Sequence, residues 1–196
     1  WFRPVDITAG PQQAVLIVDM ARAVIEHPDF MPSELKARPD QRDGTALGRI
    51  WKVVEESVVP REVSLTTTDD AIKWLRSASA WQRTSASQFL QEKGEPVLQA
   101  LRDLVLDREG SPAARSRAAW LLHKHGALSE HHAVSLMNAN DARLRARGIH
   151  FSQGRPELLE NVVAMNEDAD PLVVRWAAAE FGAWGLWGLG QNKKQE

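Results

Sequence analysis

Apolar residues recur along the chain with two different periods, and the change falls near residue 69. Before it, apolar residues alternate with polar ones or form a short continuous run, as in Phe2–Ile7, Ala14–Val18 and Gly48–Val54. Stretches of this length and period predict β-strands. Three short strands cannot bury a core by themselves, so this β segment, residues 1–54, must pack against other structure.

A helical motif repeats in the second region. It consists of an arginine, a small residue three positions later and an aromatic residue or leucine three positions after that, so the small and large residues share one helix face. The motif recurs about every thirty residues, and its arginines are Arg83, Arg115, Arg145 and Arg175. The small residue lets a neighbouring helix approach closely. Shorter apolar segments that begin with proline or serine lie between these helices, so each unit is predicted to be a helical hairpin.

These patterns predict a mainly α protein, with an α-solenoid of about four helical-hairpin units over residues 69–184 after the small β segment. The helical part resembles HEAT repeats. Residues 55–68 contain Pro60 and a threonine run, which predicts a linker. Residues 185–196 are interrupted by glycine and then polar, which predicts an irregular tail. No second helix follows the helix predicted at Leu172–Trp184. An array that has been cut short is therefore favoured over one that its own tail closes.

Composition narrows the functional classes. The chain has 196 residues, of which 43% are apolar and 26% are charged, as in soluble globular proteins. Its net charge of −2 gives no reason to expect a nucleic acid or an anionic membrane as partner. The absence of cysteine excludes disulfides, thiolate zinc sites, a cysteine nucleophile and covalent haem attachment within the chain. No apolar run reaches the length of a membrane span.

Titratable residues gather just after the second predicted strand, and they are weak candidates for catalysis. They are Asp19, Arg22, Glu26 and His27. In one interpretation they face a pocket, where a histidine beside a carboxylate accepts a proton. In the other, which is favoured, Asp19 and Arg22 pair where the strand ends and the glutamate and histidine order a turn before a proline.

Four histidines cluster in the second repeat, at His123, His125, His131 and His132. A metal site needs three or four ligands that converge with defined geometry. His123 and His125 are two residues apart on a helix and therefore point in different directions. The favoured interpretation is that these histidines lie on the surface or at helix ends, near the C-terminal end of a helix dipole, where an imidazole is well placed.

The repeat arginines also have two interpretations. Acidic residues precede several of the helices that carry them, as at Asp141 and Asp170, so pairing between successive repeats that sets their register is favoured. The alternative is a ladder that contacts a ligand or partner. Most of the eight tryptophans fall within periodic segments and are expected to pack in the core or between repeats.

The chain also resembles a known family. The segments "FRPVDITAGPQQAVLIVDMARAVIEHPDFMP" and "RDGTALGRIWKVV" resemble the closing blade of a sorbosone/glucose-dehydrogenase-like β-propeller. Trp81–Ala86 and Pro112–Leu122 resemble motifs of the HEAT-like repeats that follow this propeller in planctomycete-type membrane-associated or exported dehydrogenase-like proteins. The resemblance implies a parent with a quinone cofactor, a c-type cytochrome domain and a periplasmic or exported location.

These observations predict a non-catalytic HEAT-like scaffold or protein-interaction module, which binds domains of the same parent chain or another protein and holds no cofactor of its own. The alternative is part of a quinone-dependent sugar or alcohol oxidoreductase, whose electrons pass to a c-type haem outside this chain. The substrate, the partner and the compartment are left open by the sequence.

Overall fold

The computed structural model describes residues 1–57 and 63–192, with residues 184–192 described by their backbone alone. The chain divides into two compact units. The sheet unit comprises residues 1–64 together with 79–81. The helical unit comprises residues 65–78 and the chain from residue 82 onward.

The sheet unit contains three antiparallel strands in the order β1-β2-β3. Their bounds are β1 Pro4–Ala9, β2 Val15–Asp19 and β3 Arg49–Val53. The predicted strands are therefore confirmed, with ends that move by one or two residues. The register places Ile7, Ile17 and Trp51 opposite one another, so their side chains share one face of the sheet.

A long connection between β2 and β3 carries most of the buried apolar residues of the sheet unit. It includes a 3₁₀ turn at Pro28–Phe30 and the short helix α1, Ser33–Lys36. Its core consists of Ala23, Val24 and Met31. Gly44 has a φ of +80°, and a Cβ there would lie 1.8 Å from the carbonyl oxygen of Ala21. The connection is therefore packed against itself, and the backbone passes too closely at this point for any side chain.

The helical unit is built from eight further α-helices in the described part of the chain. They are α2 Thr68–Leu75, α3 Ala80–Lys93, α4 Leu98–Leu106, α5 Pro112–Lys124, α6 Glu130–Met137, α7 Ala142–His150, α8 Leu159–Ala164 and α9 Pro171–Asn192. Helices α3, α5, α7 and α9 carry the repeat arginines and are called the first helices. Helices α4, α6 and α8 are the second helices.

Helices α4 to α9 stack as successive hairpins. Helix α4 packs against α5 and α6, and α6 packs against α7. The first helices α5, α7 and α9 contact one another in turn. Contacts between neighbouring first helices and between neighbouring second helices are what a stacked array of hairpins requires. The prediction of a mainly α protein with a small β segment is confirmed.

In the first three units the small positions of the motif and two of the large positions are buried between helices. Ala86 and Ala118 are fully buried, and Leu121 and Phe151 are at most 3% exposed. In the fourth unit Ala178 and Phe181 are exposed, so the motif does not form core contacts there. A Cβ on Gly148 would lie 2.6 Å from the backbone nitrogen of Met137 in α6. Glycine at this position therefore lets α7 and α6 approach more closely than alanine would allow.

The start of the array agrees with the sequence prediction and its end does not. Helix α2 begins with a capping box between Thr67 and Asp70, close to the predicted start at residue 69, and ends at Leu75. Helix α9 continues through Asn192 and so passes Trp184, where the irregular tail was expected to follow. Glycine lowers helix propensity by about 1 kcal/mol but does not prevent a helix. Residues 193–196 of the predicted tail lie outside the described residues.

None of the described helices combines the length and the apolar character needed to cross a bilayer.

Candidate functional site

Asp19 at the end of β2 is buried and fully hydrogen-bonded. Its Oδ1 accepts the backbone N–H groups of Arg3 at 2.8 Å and Ala21 at 2.9 Å. Its Oδ2 accepts the Nε–H of Arg49 at 2.9 Å and the indole N–H of Trp51 at 3.0 Å. These four donors take up both carboxylate oxygens, so the side chain has little capacity left for a ligand.

The surroundings of Asp19 keep it ionised. The pKa of Asp19 falls to about 2, and the hydrogen bond from Trp51 is the main cause. Burial acts in the opposite direction and raises the pKa, whereas the N–H groups of Arg3 and Ala21 and the charge of Arg49 lower it further. A carboxylate with so low a pKa is a poor proton acceptor at neutral pH. The geometry therefore assigns Asp19 a structural role.

The other three candidates near Asp19 do not join it in one set of contacts. Arg22 is half-buried, and Glu26 and His27 are exposed. The imidazole Nδ1 of His27 lies 3.7 Å from a carboxylate oxygen of Asp29 and accepts the backbone N–H of that residue at 3.3 Å. The hydrogen-bond partners of Asp19 lie instead at the start of β1, just after β2 and in β3. Arg22 is not among the described residues that donate hydrogen bonds to Asp19, so the predicted pairing of the two side chains is not observed.

The histidines of the second repeat take different places. His132 is buried, and its Nδ1 accepts the backbone N–H of Ser129 at 3.0 Å, which caps the start of α6. Burial is the main cause that lowers the pKa of His132. His125 is half-buried, while His123 and His131 are exposed. Within residues 1–57 and 63–192, no group of three or more histidine, aspartate or glutamate side chains is arranged to hold a metal ion.

Three repeat arginines bind carbonyl groups at or just after the end of the helix that precedes them. Arg83 donates to the carbonyls of Ser77 and Ala78, at 2.8 and 2.6 Å. Arg115, which is buried, donates from Nε to the carbonyl of Val105 at 2.9 Å. The last carbonyls of a helix lack partners within it and carry partial negative charge, so a guanidinium stabilises them.

Arg145 follows the same rule and adds an ion pair. It donates to the carbonyls of Ala139 and Asn140, just after α6, at 3.0 and 2.8 Å. Its Nε and Nη2 also bind the two carboxylate oxygens of Asp168 at 2.7 and 2.8 Å. This hydrogen bond is the main cause that lowers the pKa of Asp168 and raises that of Arg145. The fourth repeat arginine, Arg175, is exposed.

The two acidic residues expected to pair with the repeat arginines have other partners. Asp141 accepts the backbone N–H groups of Arg143 and Leu144 and so caps α7. Asp170 accepts the backbone N–H of Leu172 at 2.9 Å and so caps α9. The register contact in this region is made by Asp168 instead. Caps of this kind satisfy N–H groups that have no partner in the first turn of a helix.

A line of five rings crosses α5, α7 and α9, and the sequence analysis did not identify it. The rings belong to Trp120, His123, Phe151, His150 and Trp176, and we call them the ring row. Neighbouring centroids are close: 5.7 Å from Trp120 to His123, 5.3 Å from His123 to Phe151, 5.6 Å from Phe151 to His150 and 5.8 Å from His150 to Trp176. Rings at these distances attract one another.

The ring row is anchored at its centre and open at its ends. Phe151 is 3% exposed, whereas Trp120 is 42% and Trp176 is 37% exposed. The ammonium group of Lys124 lies 5.3 Å from the Trp120 ring centroid, a cation–π contact. Burial, followed by the charges of Arg147 and His123, lowers the pKa of His150, so its imidazole is neutral at neutral pH.

One signal in the sequence points to this row. Trp120 and His150 each lie five residues after a repeat arginine, so they occupy the same position in successive units. A position that is aromatic or imidazole in two units, outside the small and large core positions, indicates a surface line rather than core packing. The tryptophans were expected to pack in the core or between repeats, but Trp120 and Trp176 remain partly exposed.

Comparison with known proteins identifies one match. A family model described as a domain of unknown function, DUF7133, matches residues 1–57. The matched segment contains all three strands and the long connection between β2 and β3, and it contains none of the helical array. No curated protein and no solved structure matches the chain.

Proposed function

We propose that the chain is a non-catalytic, HEAT-like repeat scaffold that binds another protein or another domain of its parent through the first helices. One observation carries this proposal: the ring row runs without interruption across three consecutive first helices, and large aromatic side chains remain exposed at both of its ends. Exposed tryptophan is enriched at sites of protein recognition because it combines a large apolar surface with a hydrogen-bond donor.

The structure of the repeats supports a scaffold role. In the first three units the motif arginines and the small residues connect the hairpin to the preceding helix, so this part of the array is held together by its own contacts. The ring row takes no part in the buried core except through Phe151. Its exposed residues are therefore available to a partner without loss of packing in the array.

For the sheet unit we propose the place that the resemblance implies, which is the last part of a propeller-like β domain. The face shared by Ile7, Ile17 and Trp51 supports this, because Ile7 is 64% and Trp51 is 46% exposed. Val15 and Val53 extend the same face and are also exposed. An apolar face of this kind on three strands is stabilised when further β structure covers it.

The alternative implied by the resemblance is a part of a quinone-dependent sugar or alcohol oxidoreductase. The proposed scaffold predicts no dye-linked oxidation of sugars by this chain when a quinone cofactor is added. Turnover that depends on enzyme concentration would contradict the non-catalytic assignment. A variant with Asp19→Asn would then show whether the candidate residues of the sheet unit contribute to it.

Partner capture tests the proposed function. The full chain, a Trp120→Ser/Trp176→Ser variant and a Phe30→Ser control are immobilised and exposed to an extract of the source cells, and bound proteins are quantified by mass spectrometry. Phe30 is 77% exposed and belongs to the sheet unit, so its replacement removes an exposed aromatic residue away from the ring row. We expect proteins that the wild type and the control retain and the double variant loses. Equal retention by all three would contradict the proposal.

A further inference from the structure

Charge is segregated between three of the first helices, α5, α7 and α9, and the rest of the helical unit. Helices α5 and α7 contain no aspartate or glutamate. The sequence of α9 contains a single acidic residue, Glu180, and its side chain is buried. The same three helices carry many cations, which are Arg115, Arg117, Lys124, Arg143, Arg145, Arg147 and Arg175. A chain whose net charge is −2 therefore has three strongly cationic consecutive helices in the first-helix set, α5, α7 and α9.

The balancing acidic residues lie on the second helices and in the turns. They are Asp103, Asp107, Glu109, Glu130, Asp141, Glu157, Glu160, Glu167, Asp168 and Asp170. Several of them cap helices or pair with arginines, as described above. Their placement leaves the surface of α5, α7 and α9 without compensating negative side chains except at the turns.

Exposed cations lie beside the ring row. Lys124 is in contact with Trp120 and is exposed. Arg147 is exposed and lies one helical turn before His150, on whose pKa its charge acts. The guanidinium of Arg145 is already engaged by carbonyl groups and Asp168, and Arg115 is buried. Lys124 and Arg147 therefore combine exposure with proximity to the rings.

We propose that this face of α5, α7 and α9 binds an acidic segment of a protein partner. The carboxylates of the segment pair with Lys124 and Arg147, and apolar side chains between them pack on the exposed parts of Trp120 and Trp176. Charge complementarity of this kind selects the partner and speeds its association, while the aromatic anchors supply most of the affinity. The inference rests on the proposed function and specifies the chemistry of the partner.

The observations favour an acidic polypeptide over a nucleic acid. Stacking of bases requires open ring faces. The Trp120 ring is instead in contact with His123, Phe151 and Lys124. Arg143, a further cation on α7, is paired with Asp141 at 3.2 Å. Carboxylates in the adjacent turns would repel a continuous phosphate backbone, whereas a short acidic segment can avoid them.

Binding of a labelled peptide tests the inference. The probe is a fluorescent peptide of repeated Glu-Glu-Leu triplets, measured by anisotropy with the full chain at about 50 mM NaCl, where charge interactions are weakly screened. Matched probes are a Gln-Gln-Leu peptide, an oligothymidylate and vesicles that contain anionic lipid. We expect the acidic peptide to bind and the neutral one to bind at least about tenfold more weakly.

Two charge-reversal variants locate the binding surface. Lys124→Glu/Arg147→Glu alters the ring-row face, and Lys73→Glu/Arg108→Glu makes the same change in charge at exposed residues of α2 and the α4–α5 turn. The first variant is expected to weaken acidic-peptide binding by about tenfold or more, and the second by less than about twofold. Circular dichroism establishes that both variants keep the helical content of the wild type.

The outcomes separate this inference from the proposed function. Equal weakening by both variants, or equal binding of the acidic and neutral peptides, overturns the acidic-segment inference. So does stronger binding of the oligothymidylate or the vesicles than of the acidic peptide. If capture of partner proteins still depends on Trp120 and Trp176 in any of these cases, the scaffold proposal stands without the inference. If capture is also insensitive to those tryptophans, both fail.

Discussion

The carboxylate of Asp19 connects all three strands of the sheet unit. It lies at the end of β2, accepts hydrogen bonds from Arg49 and Trp51 in β3, and accepts the backbone N–H of Arg3 at the start of β1. The guanidinium of Arg49 in turn donates to the carbonyl of Trp1 and lies over the Trp51 ring. The sheet has few buried apolar residues, so this polar network has an unusually large part in holding the strands together.

Asp19→Asn is expected to loosen the sheet. The amide NH₂ of asparagine would face the N–H donors of Arg49 and Trp51, so two hydrogen bonds would be lost and donors would oppose donors. Hydrogen exchange by mass spectrometry should show the amides of β2 and β3 exchanging roughly tenfold faster at neutral pH. Asp6→Asn is the control, because Asp6 is exposed on β1. Equal exchange in wild type and Asp19→Asn would contradict the role of the network.

The pH dependence of this effect has a defined sign. The pKa of Asp19 is about 2 in the folded chain, against an ordinary value of 3.8. The unfolded chain therefore binds the proton more readily, and the stabilisation by ionised Asp19 is complete above about pH 5 and is lost as the pH falls toward the folded pKa. Pulsed hydrogen exchange of the sheet in urea gives an unfolding midpoint for the wild type and for Asp19→Asn. The difference between the two midpoints should shrink below about pH 4. A difference that is constant down to the folded pKa would show that the charge of Asp19 is not what stabilises the sheet.

At the level of helices, three of the four hairpins are tied to the preceding helix by an arginine. Arg83, Arg115 and Arg145 all donate to carbonyls at or just after the end of a preceding helix. The shared spacing of the motif thus has a physical cause. Each of these arginines lies in the first turn of its own helix, so that turn must lie close to the end of the preceding helix. The exposed position of Arg175 sets the fourth unit apart.

Arg145→Ala should destabilise the helical unit by about 1–3 kcal/mol, because carbonyl groups and Asp168 lose a charged donor. Arg143→Ala in the same helix is the matched control, since the Arg143 side chain is 84% exposed and pairs only locally with Asp141. The control is expected to change stability by less than about 0.5 kcal/mol. Urea unfolding followed by far-UV circular dichroism measures both. Equal effects of the two substitutions would contradict the assigned role of the repeat arginine.

Gly148→Ala should also destabilise the array, by about 1–3 kcal/mol, because the new Cβ would collide with the backbone of α6. The contact at 2.6 Å involves the backbone nitrogen of Met137 and cannot be relieved by a side-chain rotation. Gly182→Ala in α9 is the control, because a Cβ there meets nothing within 4 Å. It should stabilise the helix by up to about 1 kcal/mol. Opposite signs in urea unfolding are expected, and a neutral Gly148→Ala would show that α6 and α7 can separate without cost.

At the scale of the molecule, periodicity predicted the main elements because it depends on residues close in sequence. The change from strand to helix near residue 69, and the helical hairpins around Arg115 and Arg145, follow directly from local spacing. The fold class was therefore predictable. The end of α9 was not, since the glycines after Trp184 lower helix propensity without excluding a helix.

The candidate site was harder to predict, because its contacts join distant parts of the chain. Asp19 binds Arg49 and Trp51, 30 and 32 residues away, and no local pattern distinguishes such a carboxylate from a catalytic one. The ring row joins residues of three helices, and only the shared position of Trp120 and His150 indicated it. The segregation of charge onto the first helices becomes visible once the helices are assigned to their two sets.

A hydrogen-exchange footprint of the full chain, with and without the Glu-Glu-Leu peptide, locates the binding surface directly. We expect slower exchange in α5, α7 and the first half of α9 when the peptide is present, and no such protection in Lys124→Glu/Arg147→Glu. Exchange in α4, α6, α8 and the sheet should not change. Protection of the second helices, or protection of the first helices that survives the charge reversal, would contradict the claim that the cationic ring-row face is the binding surface of this protein.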